Sequence, residues 1–269
     1  MFLSITSKKL LVISCVLFIS LFCSTSFAKQ YSFIVQPIYA PEKMVTLYKP
    51  LVQYLKEETG HSFSVVTSRS FISYWEKMKK GQYDLILDAA HFTDYRINRL
   101  NYSVLVKVPS TESYSLVTNS STKISDTKNL IGKKLVTLPS PSLSGVHLAR
   151  MFPNPAQQPD IKGANSAESA LKALQKGQYF AALIPTSLLA KAENINTVNT
   201  SIAMPRMAIS ASPKINKDVQ EKIRAALIRA STTAKGKKML SALQIPAFAA
   251  TDAKTYQGYG KLLAGVWGY

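Results

Sequence analysis

From Tyr31 onward the chain alternates short runs rich in β-formers with longer stretches whose apolar residues recur at helical spacing. Residues 31–36 read as a first strand, and 37–41, bounded by Pro37 and Pro41, as a loop. Residues 42–59 place Val45, Leu47, Tyr48, Leu51 and Leu55 on one helical face and stop at Gly60, a C-cap residue. Residues 62–67 form a second strand and 71–80 a helix ended by Gly81. Residues 83–87 are a continuous apolar run, the mark of a strand buried on both faces. This β-α-β-α-β order predicts a doubly wound lobe. After 102–108, a strand at 114–118 leads into the Ser/Thr-rich passage 119–127, where a first crossing between lobes is expected.

The pattern then restarts. A turn at 130–134 precedes a strand at 135–138, a small polar loop at 140–145 and a helix at 146–152 ended by Pro153 and Pro155. A helix capped by Ser166 covers 166–175, a strand covers 180–184, and 185–191 begins another helix with Pro185 near its first turn. Residues 202–210 are expected to cross back. Three amphipathic helices follow at 216–230, 232–243 and 253–267.

The restart is visible as near self-quotation. Lys80-Gly81-Gln82-Tyr83 returns as Lys176-Gly177-Gln178-Tyr179, 96 positions later, each copy between an amphipathic stretch and an apolar run. A unit that recurs once at this size predicts two lobes of similar build, not a solenoid of short repeats. Two facing lobes form a cleft, where small ligands bind.

The first 28 residues stand apart. Lys8 and Lys9 precede a 13-residue apolar run, 10–22, and Ser26-Phe27-Ala28 supplies small residues for cleavage after Ala28. This reads as a secretory leader, too short to span a bilayer comfortably. No later run is long enough to span a membrane. Both cysteines, Cys15 and Cys23, lie in the leader, so the mature chain of 241 residues relies on its core and has no disulfide. Cys23 follows Phe22, not the small residue that lipid attachment favours.

Charge narrows the classes further. The formal charge is +18, and +16 without the two leader lysines. The surplus is spread along the chain, without the basic stripe interleaved with aromatics that marks nucleic-acid binding. His61, His91 and His147 are scattered and no cysteine survives export, so no metal cluster is expected. No nucleophile elbow or P-loop spacing occurs, so neither an enzyme nor a cofactor is expected.

The sharpest chemical candidate is Ser140-Pro141-Ser142-Leu143-Ser144-Gly145, between a strand and a helix. A helix start offers free N–H groups and a partial positive charge to an anion, serine hydroxyls add donors, and Gly145 lets the backbone come close. Ser144 equally fits a simple N-cap. His147, in the first turn, is either a donor to an oxyanion or a surface histidine. A second cluster, Asp88 and His91 with Tyr95, follows the third strand, where open α/β sheets place ligands. Asp88 fits either a ligand acceptor or a helix cap, and Tyr95 either the site or the core. Arg96 and Arg99 are expected to be solvated helix charges. Tyr39 offers an aromatic cleft wall, and Glu42 is an acid at a helix start. Thr186, after the second repeat strand, is the counterpart of the Asp88 loop and is either a cleft residue or a cap.

These residues in this order resemble the phosphate/phosphonate-type periplasmic substrate-binding proteins, the PhnD-like binding components of ABC transporters. The resemblance rests on Pro41-Glu42-Lys43, Pro50-Leu51, Tyr54-Leu55 and Thr59-Gly60. It continues through Gly81-Gln82-Tyr83-Asp84 with Asp88 and His91, 130–134, the serine loop to Gly145 and the Gly177 repeat. Met204-Pro205, 210–213 and Trp267-Gly268-Tyr269 complete it. It implies an α/β fold of two doubly wound lobes joined by two crossing strands (type 2). It also implies a small anionic ligand, often phosphoryl, and a loop of Ser142, Ser144 and Gly145 that holds it. The expected division is 29–117 with 205–269 as one lobe and 118–204 as the other. The expected protein is a periplasmic monomer that closes on an oxyanion (phosphate, phosphonate or a phosphorylated metabolite) and passes it to an inner-membrane permease or a sensor. The competing expectation is a secreted protein that keeps the fold, has lost transport and binds an acidic surface or another protein.

Overall fold

The computed structural model describes residues 29–269 apart from Lys123 and Ser125; the expected leader, with Cys15, Cys23 and the cleavage site, lies outside the described residues. The first sheet begins with three parallel strands, β1 (Gln30–Val35), β2 (Ser62–Val66) and β3 (Leu85–Asp88). They are linked by α1 (Pro41–Thr59) and α2 (Phe71–Lys79), and α3 (Ala90–Leu100) follows β3. The chain continues into β4 (Ser103–Lys107). On its return it supplies β12 (Ala208–Ala211), which runs antiparallel between β3 and β4. A short edge strand, β13 (Ala249–Ala250), completes the order β13-β4-β12-β3-β1-β2.

The second sheet contains β6 (Tyr114–Asn119), β7 (Lys134–Thr137), β8 (Asp160–Gly163), β9 (Ala181–Pro185) and β10 (Ile195–Thr200), in the order β10-β6-β9-β7-β8. Helix α4 (Leu143–Met151) joins β7 towards β8, and α5 (Ala167–Gln175) joins β8 to β9. Read from β8, this sheet repeats the first one from β2. In both, three parallel strands with the earliest in the middle are followed by two strands, each antiparallel to its neighbour; the first sheet has β13 as an extra edge strand.

The self-quotation in the sequence is thus a structural repeat. Helices α2 and α5 have nine residues each and lie 96 positions apart, and so do their N-caps, Ser70 and Ser166. Each ends in the same turn: Gly81 N–H donates to Met78 O and Gly177 N–H to Leu174 O. Both glycines have positive φ (62° and 71°), which a side chain disfavours.

Between the sheets, β5 (Thr111–Glu112) and β11 (Met204–Pro205) pair antiparallel as the two crossings. The first crossing therefore lies before Tyr114, not at 119–127. Residues 114–118, counted on sequence with the first lobe up to 117, form an interior strand of the second sheet, because Leu116 and Val117 each enter a different core layer of it. The first lobe buries one layer under α1, α6 (Lys217–Arg229) and α7 (Ala234–Leu243), and another under α2 and α3. The expected helix at 253–267 is instead two 3-10 turns, Ala253–Tyr256 and Tyr259–Leu263, separated at Gln257-Gly258. This tail is fastened to the first lobe: Trp75 Nε1 donates to Trp267 O (2.9 Å) and Gly260 N–H to Asp94 Oδ2 (2.7 Å).

Arg96, expected in solvent, has no exposed side-chain surface and pairs with the equally buried Asp88. Its Nη2 donates to Asp88 Oδ1 (2.7 Å) and Ser210 Oγ (3.1 Å), while Tyr74 and Thr93 hydroxyls also donate to the Asp88 carboxylate. Burial is tolerable because every charge is matched and each carboxylate oxygen has two donors. Removing one partner strands the other charge in the core. Arg96→Met is expected to cost about 3–5 kcal/mol in urea unfolding; a loss near zero would show that the pair does not hold the lobe.

Candidate functional site

A cavity of about 200 Å³ lies between the lobes. Its position follows from the topology. Ile38, Tyr39 and Ala89 line it from just beyond the C-terminal ends of parallel strands β1 and β3; Leu138 and Pro185 line it from the ends of β7 and β9. Both sheets aim the ligand-bearing ends of their strands at one gap. The repeat reappears in the wall: Phe71 and Ala167, the first residues of α2 and α5, both line it. The floor comes from the crossings, with Glu112 on β5 and Met204 to Met207 on and after β11.

Ser142 and Ser144 line this cavity. Helix α4 starts at Leu143, three residues earlier than the pattern predicts, so the loop's last three residues are its first turn and Ser142 is the N-cap, not Ser144. Ser142 Oγ accepts from Gly145 N–H (3.0 Å), donates to Leu138 O (2.9 Å) and stands 3.3 Å from Ser144 Oγ. Helix geometry leaves the N–H groups of Leu143 and Ser144 without an intrahelical acceptor. Gly145 does not line the cavity. It lets the helix seat against its own loop, since a Cβ there would lie 2.4 Å from Ser140 N and 2.8 Å from Ser140 Cα.

Tyr39 reaches across the cleft, its hydroxyl donating to Glu168 Oε1 on α5 (2.9 Å), while Lys43 Nζ sits 3.7 Å over its ring. Burial, and then the Glu168 carboxylate, push the Tyr39 hydroxyl up to about 12, so it stays a donor. At the floor, Arg206 Nη2 lies 3.6 Å from Glu112 Oε2, to which Ser187 Oγ also donates (3.3 Å). Gln36 closes the first-lobe side, its Oε1 accepting from Ala89 N–H (3.3 Å).

The remaining sequence candidates fall elsewhere. Asp88 lies beneath the cleft, spent on Arg96, and does not cap α3, whose N-cap is Ala89. His91 is fully buried; its Nε2 faces Pro141 O at 2.9 Å instead of the cavity. Thr186 turns its hydroxyl to Ser113 (2.8 Å) and Ser115 (2.9 Å), while its neighbours Pro185 and Ser187 line the gap. His147 borders a separate cavity of about 230 Å³ with Met151, Asn199 and Ser201, on the far side of Tyr114. Tyr95 packs edge-on against Trp75, and Arg99 is exposed.

Sequence reasoning missed Gln36, Glu112, Glu168 and Arg206. One signal was available for Glu168: it stands in the first turn of α5, the repeat partner of α2, whose start also faces the cleft. Nothing in the local pattern marks Glu112 and Arg206, which meet only when the crossing strands pair. No group of three metal-ligating side chains occurs, and no helix is long and apolar enough to cross a membrane, among the described residues.

The profile of a family described as "ABC transporter, phosphonate, periplasmic substrate-binding protein" matches residues 33–256. A comparison with curated protein sequences finds no match. Among solved structures, the binding protein component of an ABC phosphonate transporter from Pseudomonas aeruginosa superimposes with a TM-score of 0.73 at 15% identity, over 87% of this chain and 85% of that one. PhnD1 from Prochlorococcus marinus, in complex with methylphosphonate, gives 0.73 at 12% over 88% and 97%. A Xanthomonas citri protein bound to ATP gives 0.70 at 12% over 88% and 96%. These likenesses carry the type 2 periplasmic-binding fold. With the profile spanning most of its length, the chain belongs to the phosphonate-type periplasmic substrate-binding proteins of ABC transporters, a family that binds its substrates without transforming them.

Proposed function

We propose that this chain captures a small phosphonate- or phosphate-type oxyanion between its lobes and delivers it to an ABC permease of the inner membrane. The observation that carries the reading is the start of α4: the Ser144 hydroxyl on the cavity wall beside two backbone N–H groups that the helix leaves free, on a turn held by Ser142, whose own hydroxyl is spent on Leu138 O. A tetrahedral oxyanion with several acceptor oxygens matches that donor set, and the helix dipole adds attraction. Arg206, held at the floor by Glu112, is the nearest cation in the wall and adds to the field.

Glu168, on the same lobe as the serine loop, and Tyr39, which donates to it from the first lobe, meet the ligand's other end. A carboxylate there accepts hydrogen bonds and repels a second anionic group. The small cavity, with apolar walls from Ile38, Phe71 and Leu143, suits a short organic tail. The net charge of +16 on the mature chain raises the local concentration of anions without choosing among them. Family membership implies a periplasmic location, and the competing role of a secreted protein that binds an acidic surface or another protein draws no support from it.

In a thermal-shift series, methylphosphonate and inorganic phosphate are expected to raise Tm, while sulfate, sugars and neutral amino acids leave it unchanged; stabilisation by the second group alone would refute the ligand class. Ser144→Ala is expected to weaken methylphosphonate binding about tenfold or more in calorimetry, as befits loss of a hydrogen bond to a charged group, and Ser142→Ala to weaken it by unseating the turn that it caps. Unchanged affinity in both would remove the loop from the site. Glu168→Gln is expected to lower affinity for an aminoalkylphosphonate about tenfold while moving methylphosphonate by less than about threefold; equal effects on the two would show that Glu168 does not read the tail.

A further inference from the structure

His91 belongs to the first lobe, in the opening turn of α3, yet its ring's only hydrogen-bond partner among the described residues belongs to the second. Its Nε2 lies 2.9 Å from the carbonyl of Pro141, the residue before the Ser142 cap. A carbonyl only accepts, so Nε2 carries the proton and Nδ1 is bare. The ring has no exposed surface, lies against Phe92 with centroids 4.0 Å apart, and Nδ1 has no partner among the described residues. Around this contact the lobes meet tightly. Ala89 from the first lobe and Leu143 and Val146 from the second share a cluster into which the C-terminal Leu262 and Val266 also pack. Arg150 Nη2 on α4 donates to Lys261 O in the same tail (2.6 Å).

We infer that His91 is a positioning residue that never touches the ligand but ties the serine loop to the first lobe when the cleft closes. It rests on the reading of that loop as the anion site. The hydrogen bond can form only with the lobes together, so closure and correct seating of the α4 start become one event.

The same burial makes closure sensitive to acid. A second proton would go to Nδ1, where no acceptor waits. The Pro141 carbonyl and Asp88 from β3 favour a positive charge on the ring, though Asp88 is spent on Arg96 and on Tyr74 of α2; His147 from α4 and Arg96 from α3 oppose it. Burial is the larger effect and holds His91 down to about 4. An opened cleft returns it towards its usual 6.5. The closed form therefore has its full advantage above about pH 6.5 and loses it as pH falls towards about 4.

The test compares wild type, His91→Gln and His91→Leu, with methylphosphonate affinity and the small-angle X-ray radius of gyration measured from pH 7.5 to 4.5. Gln carries an N–H donor near the place of Nε2 but does not titrate; Leu has no donor. At pH 7.5, His91→Gln is expected to bind within about threefold of wild type and His91→Leu about tenfold more weakly. The ratio of wild-type to His91→Gln affinity cancels the ligand's own titration and is expected to fall about thirtyfold by pH 5. A ratio flat with pH, or a folded His91→Leu that binds and closes like wild type, would overturn the inference. Should His91→Leu not fold, the His91→Gln ratio still decides. If methylphosphonate fails to bind the wild type, the ligand reading fails separately and the radius decides for His91. It must grow on acidification in wild type and hold constant in His91→Gln; any other pattern refutes the coupling.

Discussion

A helix start can hold an anion only while its first turn and the loop before it are seated together, since the donors act as a group. Here that seating is a backbone contact. Position 145 lies so close to Ser140 that any Cβ would fall inside normal contact distance, and Ser142 bridges helix and loop by accepting from Gly145 and donating to Leu138. The glycine stands behind the donors and sets where they point. The serine and N–H groups on the cavity face inherit their geometry from that packing.

The second requirement is that two such surfaces face each other. Two sheets with the same strand order apart from the extra edge strand β13, joined by one antiparallel pair of crossings, put the C-terminal ends of both sets of parallel strands on one gap. The wall then mixes signs: Glu112 pairs with Arg206 and Glu168 lines the same cavity, within a protein whose overall charge is strongly positive. Long-range attraction and local selection are separate in this arrangement. The distributed lysines and arginines draw anions in, and a few fixed dipoles and carboxylates decide which one stays. The buried Asp88–Arg96 pair beneath the cleft belongs to neither task. It fixes β3, α3 and β12 to one another and so gives the first-lobe wall a rigid base.

Much of this was legible in the chain. The 96-residue echo foretold the two helices and their glycine exits, because amphipathic spacing and positive-φ turns are local properties; of the two matching caps, Ser166 was read and Ser70 was not. Ser142, Ser144 and Tyr39 reached the cavity for the same reason: the ends of parallel strands are predictable once the strands are. Strands β8 and β10 left no signal, since polar edge strands carry no core face to betray them. Arg96 looked like a surface charge because sequence does not reveal that Asp88, eight positions earlier, turns inward to meet it. Glu112 with Arg206, and His91 with Pro141, are joined by crossings and closure, which no local pattern encodes.

The account stands or falls on where an anion sits. A crystal structure of the protein grown with methylphosphonate tests this directly. Tetrahedral density is expected between the lobes, within hydrogen-bond distance of the Ser144 hydroxyl and the first N–H groups of α4. Density in the His147 cavity or on the outer surface, with that helix start left facing solvent, would contradict it.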